Sequence, residues 1–84
     1  MPRPVPDPAL SATVRRLREE QGVSREVFAV RAGLTTGTLH KIETGQSSPS
    51  WSSFRQIAAG LGWSITELAG AVEATEKRAQ ESGS

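Results

Sequence analysis

Five neighbouring positions, Thr36, Gly37, Thr38, His40 and Lys41, hold the groups of this chain that are best suited to bind another molecule. Hydroxyl, imidazole and ammonium groups can hydrogen bond to base edges and phosphate oxygens, and a threonine methyl can pack on a thymine methyl. Lysine can reach guanine O6 and N7 or a phosphate. Gly37 has no side chain, so the backbone there can approach a surface closely. The group therefore predicts a contact with nucleic acid.

Further polar residues flank this group and could bind phosphates. Arg25 carries a fork of donors that suits phosphate oxygens, and it stands at the start of a predicted helix, where free backbone N–H groups also attract anions. Gln46, Ser47 and Ser48 form a polar loop after the group. We expect Arg25 to contact the backbone of the nucleic acid, while the central residues face the bases or adjacent phosphates.

Metal, cofactor and catalytic chemistry are not expected. The chain has no cysteine and one histidine, His40, which belongs to the predicted binding surface, so a Ser-His-Asp set is implausible. His40 and Glu43 share a helical face, but two ligands without a third make a weak metal site. Gly60 and Gly62 follow no strand and lack the third small residue of a dinucleotide fingerprint. We predict a protein that is not an enzyme.

Two short helices joined by a tight turn are predicted to position these residues. Gly33 stands where the turn needs a positive φ angle, which glycine adopts at little steric cost, and Ala29 stands where two crossing helices would come closest. Apolar or small residues with helical spacing are expected on the inner faces: Val27, Phe28, Ala32, Leu34, Leu39 and Ile42. The pattern is typical of a helix-turn-helix, whose second helix most often enters the DNA major groove.

Caps and glycines divide the rest of the chain into helices as well. Serine, threonine or aspartate residues suited to N-caps precede the apolar stripes, and four glycines each follow a helix-like segment. No alternation of period two indicates a strand. The expected class is all-α, with helices at about 8–21, 25–32, 36–44 and 51–61 and a fifth that begins after Ser64.

The length of 84 residues indicates one small domain with flanking segments. We expect a flexible, proline-rich arm at 1–7, the domain at 8–72, and a polar tail at 73–84 that is helical and then frays. Residues 1–60 carry eight basic and five acidic side chains, whereas residues 61–84 carry two and four. Positive potential therefore lies on the part that holds the motif. Without a signal region or a run of about 18 apolar residues, a cytoplasmic protein with no membrane segment is expected.

Residues 10–69 resemble the Cro/phage-repressor type of helix-turn-helix, often called the xenobiotic-response-element family. The resemblance is carried by the stretches LSATVRRLREEQGVSREVFAVRAGL, TTGTLHKIETGQSSPS and FRQIAAGLGWSITEL. It implies a compact five-helix domain of the lambda-repressor-like type with a central helix-turn-helix. It also implies sequence-specific binding of double-stranded DNA, usually as a dimer and usually to regulate transcription.

The resemblance also assigns roles to single residues. It implies that the loop of Gln46, Ser47 and Ser48 clamps a DNA phosphate. It places Arg18 and Glu43 opposite each other as a structural ion pair between the first and third helices, and it places Trp51 and Trp63 at apolar core positions, so core or rim packing is expected for both. The chain departs from the family at Arg25, where glutamine is common, and at Gly37, where a base-reading side chain often stands.

A homodimer is expected to form through the fifth helix, because Leu68 and Val72 extend past what the other helices can cover. A small transcriptional regulator, most simply a repressor, is the leading interpretation. A DNA-binding antitoxin, whose tail at 70–84 would bind a toxin, is one alternative. The other is an adaptor that uses the same helices against a protein, for which Gly37 and the net charge of +1 leave room.

Overall fold

The computed structural model describes residues 7–83, which form five α-helices and no strand. The predicted all-α class is confirmed, and the ends of the first four helices agree with the prediction to within one residue. The expected arm lies outside the described residues, apart from Asp7. Within 7–83, no helix has both the length and the apolar character needed to cross a membrane. The helices are α1 (Pro8–Glu20), α2 (Arg25–Ala32), α3 (Thr36–Glu43), α4 (Trp51–Leu61) and α5 (Ile65–Gly83).

The helices begin where the sequence supplies a side-chain acceptor for free backbone N–H groups. The Asp7 carboxylate accepts from the backbone N of Ala9 at 3.0 Å at the start of α1. At the start of α5, the backbone N of Glu67 donates to Ser64 Oγ at 3.1 Å, and the backbone N of Ser64 donates to Glu67 Oε1 at 2.9 Å. This reciprocal pair is a capping box, and it satisfies two donors that the helix itself leaves unpaired.

One hydrophobic core joins all five helices, with α1 packed on α5 and α2 packed on α4. A Cβ atom added at Gly60 of α4 would lie 3.1 Å from Ala32 Cβ, so the absence of a side chain lets α4 approach α2 closely. The largest fully buried side chains are Phe28, Leu39, Ile42, Ile57, Leu68 and Val14.

Two apolar residues are more exposed than the sequence predicted. Val27 was expected on the inner face of α2, but half of it is in water, because the inner face of this short helix is formed by Phe28, Ala29 and Ala32. Trp51 was expected in the core or at its rim, but it is 64% exposed. It is the first residue of α4, and its ring stacks on the half-buried Phe54 at a centroid distance of 6.2 Å.

The fifth helix continues across the expected boundary at residue 72 and extends to Gly83. Its continuation contacts α1, because Thr75 Oγ1 lies 2.7 Å from the hydroxyl of the fully buried Thr13. Leu68 and Val72 are themselves buried in the core, at 0% and 9% exposure. The prediction that these two residues form a dimer surface is therefore wrong, because the other helices of the same chain already cover them.

Candidate nucleic-acid interface

The turn between α2 and α3 is fixed by backbone hydrogen bonds and by a side chain of α4. Gly33 has a φ of 73°, in the left-handed region that favours glycine. The backbone N of Leu34 donates to the Ala29 carbonyl at 2.9 Å, and Ala29 is buried against the neighbouring helix, as its small size predicted. Gln56 Nε2 donates to the Gly33 carbonyl at 3.2 Å. The angle between the two helices is thus held by contacts within the domain.

One face of α3 is buried and the opposite face is open to solvent. Leu39 and Ile42 are completely buried and anchor the helix on the core. At 3.6 residues per turn, the predicted contact residues fall on the outer side, with Gly37 near its middle. Nothing lies within 4 Å of a Cβ added at Gly37, so this part of the surface is open. The exposed residues of this outer face are Thr36, Gly37, His40 and Lys41.

Thr38 lies at the margin of the outer face and is half-buried. Its backbone N donates to Thr35 Oγ1 at 3.1 Å, and the Thr35 hydroxyl lies 2.8 Å from Thr38 Oγ1. Thr35 is the N-cap of α3. Thr38 is therefore part of the cap and is less available to a partner than its four neighbours on the outer face.

In the loop after α3, it is mainly side chains, and not backbone N–H groups, that are free to contact a partner. The backbone N atoms of Gln46 and Ser47 both point at the Lys41 carbonyl, at 2.8 Å and 3.3 Å, and so end the helix. The amide of Gln46 donates to Thr44 Oγ1 at 3.0 Å. Gln46, Ser47 and Ser48 are all exposed. An anion at this loop would meet the hydroxyls of the two serines, because the first two backbone N–H groups are already used.

A buried carboxylate, Glu43, closes α3 and binds two arginines. Arg18 of α1 donates from Nε to Oε2 at 2.7 Å and from Nη2 to Oε1 at 3.0 Å, and its Nη1 donates to the Val23 carbonyl at 2.8 Å. Arg25 of α2 donates from Nε to Glu43 Oε1 at 3.2 Å. The hydrogen bonds to Glu43 raise the pKa of Arg18 above its ordinary value, against the opposing effect of burial.

The contact between Arg25 and Glu43 was missed by the sequence analysis, which assigned Arg25 to phosphate alone. The two residues are 18 positions apart, and no spacing rule pairs the start of one helix with the end of the next.

The same cluster explains why His40 and Glu43, considered together as metal ligands, lie in different surroundings. The Glu43 carboxylate is buried and bound by arginines, whereas His40 is exposed, so the two side chains do not form a common site.

Comparisons with solved structures place the fold among known regulators. The clp gene regulator ClgR from Corynebacterium glutamicum is similar at 23% identity and a TM-score of 0.78, over 98% of this chain and 88% of that one. The restriction-modification controller protein C.AhdI from Aeromonas hydrophila is similar at 28% identity and a TM-score of 0.69, over 73% of this chain and 92% of that one. ComR from S. thermophilus is 40% identical with a TM-score of 0.68, over 74% of this chain and 21% of that one.

A comparison with curated protein sequences gave no match. A family model described as a helix-turn-helix domain matches residues 9–71, which include α2, its turn and α3 together with most of the supporting helices. The chain belongs to the helix-turn-helix domain family.

Proposed function

We propose that this protein is a sequence-specific DNA-binding regulator of transcription that places α3 in the major groove. The observation that carries the proposal is the division of α3 into two faces. Leu39 and Ile42 fix the inner face on the core, while the outer face presents donors and acceptors around the open surface at Gly37. The major groove of B-DNA is wide enough to admit an α-helix and displays a different pattern for each base pair.

The outer face offers three side chains for base contacts. Lys41 can donate to guanine O6 and N7, and Thr36 can pack its methyl on a thymine methyl. His40 lies between them on the helix surface and can donate to a base edge or a phosphate. Gly37 adds no contact of its own, but it allows the helix backbone to lie deep in the groove. We assign Thr38 a phosphate contact at most, because its side chain belongs to the helix cap.

Contacts to the DNA backbone are proposed beside the C-terminal end of α3. Arg25 lies at the start of α2, its side chain is 29% exposed, and its bond to Glu43 brings it to this end. The Gln46, Ser47 and Ser48 loop follows the same end of α3. Such contacts give no sequence preference themselves, but they fix the register of the protein on the duplex.

A homodimer on a two-fold site is proposed, because one module of this size makes few base contacts. Two recognition helices would then lie about 34 Å apart, in successive turns of the major groove. We keep α5 as the dimer surface, now through its outer face. Gly70 and Ala74 are exposed there one turn apart and would let a second helix approach closely. A monomer by light scattering at high concentration, without DNA, counts against this surface.

The described residues give a toxin-binding tail no support and an adaptor only a small apolar surface. A toxin-binding tail would need a segment free to engage a partner, yet Thr75 contacts the buried Thr13 of α1. For an adaptor, the exposed apolar side chains of the helix pair are Val27 and Val30 of α2, at 50% and 82% exposure, whereas the outer face of α3 is polar. The proposed partner is double-stranded DNA. The proposed location is the cytoplasm.

The dependence of DNA binding on salt tests this proposal. Anisotropy of a labelled duplex should give a steep fall of log K with log salt, with a slope of about −0.9 for each phosphate contacted. Lys41→Ala should weaken binding, and Arg55→Ala is the control that removes one positive charge from an exposed position on α4, outside both α3 and the proposed dimer surface. Binding that is insensitive to salt and to Lys41 would refute the proposal and favour a protein partner.

A further inference from the structure

The carboxylate of Glu43 is bound more strongly by one arginine than by the other. Arg18 makes two short contacts to it and is itself buried, at 9% side-chain exposure. Arg25 makes one longer contact, from Nε, and is 29% exposed. The Glu43 side chain has no exposed surface. Arg18 therefore holds Glu43 in place, and Arg25 is attached to a carboxylate that is already fixed.

The cluster of Arg18, Arg25 and Glu43 has a net charge of +1, because one carboxylate faces two guanidinium groups. Arginine carries donors on two edges of a planar group. The Nε of Arg25 donates to Glu43, and this bond leaves the two terminal amino groups of Arg25 available to another acceptor. Glu19 and Glu26 also act on Arg18 electrostatically, but both are exposed and are screened by solvent. One of the two positive charges in the cluster is therefore not balanced by a buried carboxylate.

A DNA phosphate could balance this positive charge, because the Arg25 side chain lies on the side where DNA is proposed to bind. Glu43 is the last residue of α3, so its bond to Arg25 brings that side chain beside the end of the reading helix. The Gln46, Ser47 and Ser48 loop starts three residues later. A phosphate beside this end of α3 would lie within reach of both the terminal amino groups of Arg25 and the hydroxyls of the loop.

We propose that Glu43 is a positioning residue for DNA binding, which holds Arg25 by its Nε so that the terminal amino groups face a DNA phosphate. The inference rests on the proposed function and goes further, because it makes a buried carboxylate part of the anion site. An anionic residue beside an anion site would ordinarily weaken binding. Here Glu43 strengthens binding by orienting Arg25, because a guanidinium that is already fixed loses less rotamer freedom when it binds a phosphate.

The substitution Arg25→Lys separates orientation from charge. Lysine keeps the positive charge, but all its donors are on one nitrogen, so it cannot bind Glu43 and a phosphate from two edges of one group. The bidentate bond between Arg18 and Glu43 stays in place, so the variant keeps the tie between α1 and α3. Arg31→Lys is the matched control, because it makes the same replacement at an exposed position on the same helix.

Binding of a duplex of random sequence at low salt is the first measurement. We expect Arg25→Lys to bind about tenfold more weakly with an unchanged salt slope, which corresponds to the loss of one hydrogen bond to a charged group. Arg31→Lys should stay within about twofold of wild type. Equal affinities of the two variants would overturn the inference while leaving the proposed function intact. Failure of the wild-type protein to bind DNA would overturn the proposed function and this inference together.

A second measurement addresses Glu43 itself. In an Arg18→Met, Glu43→Met background, which has no acceptor for Arg25 and no stranded charge, the folded fraction is verified by circular dichroism at low temperature. The added effect of Arg25→Lys on affinity should there fall to within about twofold. In NMR spectra, the Nε–H of Arg25 should remain hydrogen-bonded in the free and DNA-bound protein. A full tenfold effect in this background would show that Glu43 does not position Arg25, and release of the Nε–H on DNA binding would show that phosphate and Glu43 compete for Arg25. Either result would overturn the inference.

Discussion

Replacing Glu43 by glutamine should destabilise the domain by about 3 kcal/mol, the lower end of the cost of breaking a buried ion pair. The Glu43 side chain is fully buried, and so is most of Arg18. Removing the negative charge leaves the Arg18 guanidinium buried without a counter-ion. Glutamine keeps one acceptor oxygen, which is why the lower end of the range applies. A domain of this size has a total stability of only about 4–13 kcal/mol, so the loss would be a large part of it.

The structure also predicts the order of effects within the cluster. Arg25→Met should cost less than about 1 kcal/mol, because Arg25 is partly exposed and its loss leaves the bond between Arg18 and Glu43 intact. The double variant Arg18→Met with Glu43→Met should be more stable than Glu43→Gln, because no charge is then left buried without its partner.

Urea denaturation and thermal unfolding, followed by circular dichroism, measure these differences. The expected loss for Glu43→Gln corresponds to a fall in Tm of about 12–24 °C for a domain of this length. A loss below about 1 kcal/mol, equal to that of Arg25→Met, would refute the reasoning, because it would mean that the carboxylate is solvated. A double variant less stable than Glu43→Gln would also contradict it.

Three further predictions concern packing and pH. Gly60→Ala should cost about 1–3 kcal/mol, because the new Cβ would lie 3.1 Å from Ala32 Cβ and 3.3 Å from its backbone. Gly70→Ala, with nothing of the same chain within 4 Å, should stabilise the monomer by about 0.5–1 kcal/mol. Urea denaturation of dilute, monomeric protein separates the two. Trp51→Leu should change the free energy of unfolding by less than about 1 kcal/mol in the same assay, because the side chain is largely in water. The raised pKa of Arg18 means that its contribution to stability is complete below the ordinary arginine pKa and is lost only as the pH rises through the higher folded-state value. Unfolding titrations between about pH 6 and 10 should show no loss from this group.

Local signals in the sequence were sufficient to predict where the helices lie. A cap such as Asp7 or Ser64 and a glycine such as Gly33 act within a few residues, so their effects can be read from the order of residues alone. The division of α3 into two faces could also be predicted, because it follows from helical spacing. For this reason Leu39 and Ile42 were expected in the core and are found there.

Features that depend on distant parts of the chain were not predictable in this way. The contact of Arg25 with Glu43 joins the start of one helix to the end of another. The burial of Leu68 and Val72 depends on how much of α5 the other helices cover. The contact that ties the late part of α5 to α1 links Thr13 to Thr75, two hydroxyls 62 positions apart. In each case tertiary packing decides the outcome, and a hydrophobic pattern carries no information about it.

Selection of bound sequences from a randomised DNA pool tests the central claim most directly, with wild type, Lys41→Ala and the control Arg55→Ala compared in parallel. The account predicts that wild type and the control recover one two-fold-symmetric motif with half-sites about one helical turn apart. Lys41→Ala should recover a motif with relaxed preference at one position in each half-site. Absence of enrichment with the wild-type protein, or the same motif from Lys41→Ala, would contradict the claim that α3 reads DNA.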